Sequence, residues 1–295
     1  MNIKKMVAVP VAAFLALAVG FVSQPASAQD QALAASSVLI SIQKKGVFRV
    51  GLATFVPWAM RARDGSMVGF EVDVATQLAK DMGVKLELVP TAWAGIIPAL
   101  LAGKFDTIIG GMTATPSRNL TVNFSIPYEK NATGFVANKK LAGNFKTVED
   151  FNKPGVTLTT RRGSANVKRL QAMFPKATLR LFDEEVTCAQ EVINGNVHAW
   201  QAAMPSPLRW SLDNSDQLFL PFGSPAINPA NGRALNNSVA GFAVRKGDPD
   251  VLNYFDTWIT GKTNSGWLDD RHDYWFGTNE WYDLVPESIS KLSAG

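Results

Sequence analysis

One stretch, from Trp93 to Arg118, constrains the fold more than any other. It reads WAGIIPALLAGKFDTIIGGMTATPSR. Residues 96–102 space their apolar side chains for a helix, with Pro98 early, where a helix tolerates it, and Gly103 placed to end it. Residues 106–110 hold a threonine and two isoleucines before a glycine pair, which predicts a short buried strand. Glycines at the carboxyl end of a strand let a ligand approach the backbone closely. Thr113 adds a hydroxyl there, Arg118 a planar cationic fork and Trp93 an aromatic face. Together these are the parts of a site for a small carboxylate.

The surrounding elements alternate. Residues 38–45 form an amphipathic helix before Gly46, and 47–52 a first strand. Phe55 and Trp58 flank Pro57, and Asp64-Gly65 signals a hairpin turn. Residues 70–82 predict a helix stopped by Gly83, and 84–89 a second strand. Strand, helix, strand, helix, strand argues for a βαβ lobe around a mostly parallel sheet. Strands at 156–160, 178–182 and 197–203, with helices at 166–174 and 188–194, predict a second lobe. Helices at 250–260 and 266–276 follow, and residues 278–295 receive no assignment.

The long ungapped stretch resembles the signature of the polar-amino-acid family of periplasmic solute-binding proteins, the receptors of ABC importers. GFEVDVA at 69–75, FSIPY at 124–128, the run 239–248 and Trp275-Phe276-Gly277 are similar to further family motifs at matching distances. The resemblance implies the two-lobed type II periplasmic-binding-protein fold. Lobe 1 would comprise 29–133 and 241–295, and lobe 2 134–240, with two crossover strands as a hinge. It also implies a small carboxylate or amino acid as ligand, an inner-membrane permease as partner, a monomer, and no cofactor. Carried over by position, the ligand residues are Phe55, Trp58, Trp93, Gly111, Met112, Thr113, Arg118, Arg161, Ser164, Ala165 and Ala203. Arg118 would bind the ligand carboxylate through two parallel hydrogen bonds. Phe55 and Trp93 would form an aromatic sandwich, and the amides of Ser164 and Ala165 would serve a carboxylate at a helix start.

Two departures stand out. Members that bind standard amino acids carry an Asp where Ala203 stands, and many carry another in the loop where Ala53 and Thr54 stand. A buried ammonium without an acceptor costs several kcal/mol. Either Glu184 or Glu185 swings in, or the ligand lacks an α-ammonium. Some relatives on this fold are cyclohexadienyl dehydratases, so an enzyme is the alternative reading; it would need an acid poised in the cleft.

Composition excludes other classes. Lys4 and Lys5, an uncharged apolar run at 6–22 and Ala26-Ser27-Ala28 read as a secretory signal peptide over 1–28, implying a periplasmic protein. Removing it takes the net charge from +4 to about +2, too little to argue for nucleic acid. With one cysteine, Cys188, and two separated histidines, no intrachain disulfide or Cys/His metal cluster is expected.

Overall fold

The computed structural model describes residues 37–235 and 237–290. The expected signal peptide lies outside them. In chain order the strands are β1 (Val47–Leu52), β2 (Met60–Arg61), β3 (Met67–Val68), β4 (Lys85–Pro90), β5 (Thr107–Ile108), β6 (Asn123–Phe124), β7 (Glu129–Asn138), β8 (Thr157–Arg161), β9 (Thr178–Phe182), β10 (Ala199–Ala203), β11 (Leu218–Phe219), β12 (Asn237–Ala240) and β13 (Ala243–Val244).

Two sheets result. The first runs β4-β1-β5-β13-β6 and the second β11-β7-β10-β8-β9, with β12 also pairing β7. Each has a parallel trio, β4-β1-β5 and β10-β8-β9. The remaining pairs are antiparallel, so both sheets are more mixed than the βαβ pattern predicts. The cause lies in the crossovers. After β6 the chain passes from the first sheet into β7 of the second, and β12 returns beside β7, antiparallel, with Ala132, Asn131, Lys130 and Glu129 opposite Asn237, Ser238, Val239 and Ala240. A strand that arrives from the other sheet has no reason to share the direction set by helical crossovers.

Burial follows the apolar pattern. Phe48, Phe70, Phe242 and Phe255 anchor one core, with Trp281 and Val285 from the unassigned tail packed into it. Phe135, Phe151, Phe174 and Phe222 anchor another. Each such side chain contributes about 1.5–3 kcal/mol when removed from water. The tail is therefore part of the first lobe's packing: Arg63 donates from its backbone to Leu284 O and through Nε to Val285 O. The helix Ser206–Asp213 has no counterpart in the sequence reading. Pro205 and Pro207 disguise it, yet a proline in the first turn lacks only an N–H that would have no partner there.

Candidate functional site

The carboxyl ends of the parallel strands face a common cleft, as open α/β sheets arrange their ligand sites. On the first-lobe wall, Gly111 has φ 61°, and a Cβ there would sit 3.1 Å from Phe55 Cζ. Glycine meets both demands at once: a left-handed turn and a ring against the backbone. The Gly111 amide donates to Tyr128 Oη at 3.0 Å. Thr115 caps the short helix Pro116–Asn119 by accepting from the Arg118 amide, which fixes where the arginine side chain starts. Arg118 then donates from Nη1 to Thr113 O at 2.8 Å and from Nη2 to Gly163 O at 2.9 Å. The second bond reaches the opposite lobe. Partial burial, followed by the like charges of Arg161 and Arg169, lowers its guanidinium to about 10, so it stays cationic at neutral pH.

The second-lobe wall is built around Arg161, at the end of β8 and only 4% exposed. Its guanidinium carbon lies 4.7 Å from the Trp93 ring centroid and 5.1 Å from that of Phe55. The two rings expected to enclose a ligand side chain both lie against this chain's own arginine. Nε and Nη1 of Arg161 have no hydrogen-bond partner among the described residues. Burial lowers its affinity for the proton, while Glu185 and Glu184 act in the opposite direction. Glu185 itself is pushed up by burial, against the pull of Arg161.

Phe55, Trp93, Gly111, Thr113, Arg118, Arg161, Ser164, Ala165 and Ala203 all line one narrow cavity of about 60 Å³. Trp58 and Met112 do not. Trp58 is fully buried behind Phe55, the rings stacked at 4.4 Å, and donates through Nε1 to Glu129. Met112 points into the core with Trp93 and Ile108. The left-handed turn at Gly111 breaks the strand there, and Met112 leaves it on the core side. The Ser164 amide donates to Arg161 O, within the turn, so it is not the free donor that the sequence suggests. Asn131, Ala132, Thr133, Asn166, Glu185 and Ser238 also line the cavity. Asn131, Ala132, Thr133 and Ser238 belong to the crossover strands, whose place at the back of the cleft follows from topology and carries no local sequence signal. Behind Gly111, Tyr128 Oη donates to the fully buried Glu71 at 2.7 Å. Burial raises both Glu71 and Glu129, the latter to about 8.

A sequence profile of the bacterial extracellular solute-binding proteins, family 3, matches residues 48–278. The chain belongs to that family. This family 3 protein is similar to the L-cystine-binding protein TcyJ of Escherichia coli, 28% identical over 252 residues that span 84% of this chain and 90% of the relative. It is also similar to a cyclohexadienyl dehydratase of Pseudomonas aeruginosa, 27% identical over 248 residues, 82% of this chain and 87% of the enzyme. Among solved structures it resembles the ancestral amino acid-binding protein AncCDT-1, a precursor of cyclohexadienyl dehydratase, with TM-score 0.71 and 33% identity over 82% of this chain and all of that one. A putative ABC-transporter binding component from Wolinella succinogenes, complexed with lysine, gives TM-score 0.71 at 34% identity over 80% and 98% of the two chains. These likenesses agree with the two-sheet architecture and with a cleft built for small solutes. Against that family background, Ala203 lines the cavity as a methyl group where an acid was sought, and Arg161 brings a second cation.

Proposed function

We propose that the protein is a periplasmic receptor of an ABC importer that closes over a small carboxylate of net negative charge. The relatives that bind amino acids support the class. The charge of the ligand rests on one observation: Arg161 occupies the space between Phe55 and Trp93 with two guanidinium nitrogens unpartnered. A cationic ligand side chain would have to displace one buried cation by another. An anionic one would supply acceptors, and leaving such donors unpaired costs about 1–3 kcal/mol or more. Arg118 stands beside it and Ala203 offers no counter-charge. Dicarboxylates, acidic amino acids and aromatic carboxylates fit; lysine and arginine do not.

A calorimetric competition series tests this, with lysine, arginine and histidine against glutamate, aspartate, succinate and benzoate. The acids should bind and the bases should not. Tight binding of lysine or arginine with no response to any acid would overturn the charge reading. The dehydratase-like relative motivates a second reading, because Glu185 faces the cleft and burial favours its protonated form. Incubation with prephenate or arogenate separates the two: product release would make the protein an enzyme, and a receptor leaves both unchanged.

A further inference from the structure

A second chamber, about 280 Å³ and largely apolar, opens beyond the cleft. Phe55 and Glu185 line both spaces, so the two adjoin. The first lobe supplies Val56 and Met60 to the chamber, and the second supplies Val186 and Trp210. Ser206 Oγ donates across the lobes to Val56 O at 3.2 Å beside it. Ile289, from the tail beyond the family match, contributes to the wall.

One side chain in this lining is unusual. Arg209 is 7% exposed, and its Nη1 has no hydrogen-bond partner among the described residues. Its guanidinium stacks over Trp281 at 5.4 Å. Asp213 and Tyr282 act on it electrostatically, but no ion pair joins Arg209 to a carboxylate within 4.0 Å among the described residues. Arg118 and Arg161 thus stand in one space and Arg209 in the next, with Phe55 and Glu185 as the wall the two share.

We propose that this chamber is a second compartment of the ligand site, which takes the far carboxylate of an elongated dicarboxylate while its hydrocarbon middle lies against Phe55 and Trp210. The inference rests on the anionic reading above and narrows it to ligands with two acidic ends. An apolar linker gains from the lining, methylene by methylene, what a compact acid cannot. The terminal carboxylate would meet the Arg209 guanidinium where it lines the chamber; Asp213 Oδ2 and Tyr282 Oη, the groups that act on Arg209 from behind, have no hydrogen-bond partner either among the described residues. Glu184 is exposed, and burial pushes the Glu185 carboxyl up against the pull of Arg161, in the direction that lessens its repulsion of such a ligand.

Two variants outside the cleft test the idea with succinate, adipate and sebacate as probes. Val186→Trp fills the chamber from an exposed position, and Arg209→Met keeps the bulk over Trp281 without the charge. In the wild type, affinity should rise from succinate to sebacate. Each variant should weaken sebacate at least about tenfold, or about 1.4 kcal/mol, and leave succinate unchanged. If the wild type binds succinate but gains nothing with length, or if both variants bind sebacate as well as the wild type does, the chamber is not a ligand compartment and the anionic reading stands. If no dicarboxylate binds while lysine or arginine does, both fall together.

Discussion

At the scale of single residues, the cleft is dominated by groups held away from their usual partners. Arg118 divides its donors between Thr113 O in its own lobe and Gly163 O in the other, so it ties the two lobes together at the cleft. Arg118→Ala should weaken the preferred acid by at least about a hundredfold, since breaking a desolvated ion pair costs about 3–5 kcal/mol. Calorimetry on wild type and variant at matched stability reads this directly; equal affinities would remove Arg118 from the carboxylate site. Glu129 gives a second prediction. Burial raises its carboxyl to about 8 in the fold, although hydrogen bonds from Trp58 and Asn131 favour the charged form. The unfolded chain holds that proton only up to about pH 4.3. Between these values the folded state binds more protons than the unfolded state. Stability must therefore fall as pH rises through that window, by up to about 1.4 kcal/mol per pH unit, and level off above it. Glu71 adds a contribution of the same sign. Thermal unfolding should show a higher Tm at pH 5 than at pH 8 and a shallower difference in Glu129→Gln. Identical pH profiles would mean that Glu129 titrates normally.

At the scale of elements, the turn after β8 is the part that meets the opposite lobe. Gly163 has φ 76°, and a Cβ on it would lie 3.0 Å from Ala94 Cα, on the 3₁₀ turn Trp93–Gly95. Alanine there would carry two penalties: about 1–2 kcal/mol for the left-handed backbone, and a collision that exists only when the lobes are shut. Gly155, with φ 88° and nothing within 4 Å, isolates the first penalty in the same sheet's loops. Gly155→Ala should lower Tm with affinity intact. Gly163→Ala should lower Tm similarly and also weaken the ligand about tenfold. Equal affinities in the two variants would show that this turn does not limit closure. The helix Ser206–Asp213 and the tail segment Tyr282–Leu284 matter at the same scale, because together they place Arg209 over Trp281 and so bring lobe 2 against the tail.

For the whole molecule, the paired crossovers β7 and β12 form a two-stranded antiparallel link between the lobes, the element expected to act as hinge. The bonds from Arg118 to Gly163 and from Ser206 to Val56 hold the lobes together on either side of the cleft. A ligand that touches both lobes favours this state by its differential affinity for it. Small-angle scattering should therefore give a smaller radius of gyration with saturating acid than without. An unchanged radius would sink the hinge mechanism.

Much of this was legible before any coordinates. Glycine stops, apolar spacing and β-branched runs located the helix Val38–Lys45, β1 and β9 to the residue, because those signals are local and the elements end where glycine or a polar turn ends them. The family signature placed nine of the eleven ligand candidates at one cavity. Trp58 and Met112 stand away from that cavity for a local reason with a tertiary cause: a motif fixes which residues are neighbours in the chain, while the turn at Gly111 and the packing behind Phe55 decide which of them face the cleft. The tail was illegible because Trp281 and Val285 are buried by partners far away in sequence. The state of Arg161 was illegible for the same reason. Sequence supplied a cation near the end of a strand; only the approach of the two lobes set it between Phe55 and Trp93 and left its nitrogens without acceptors.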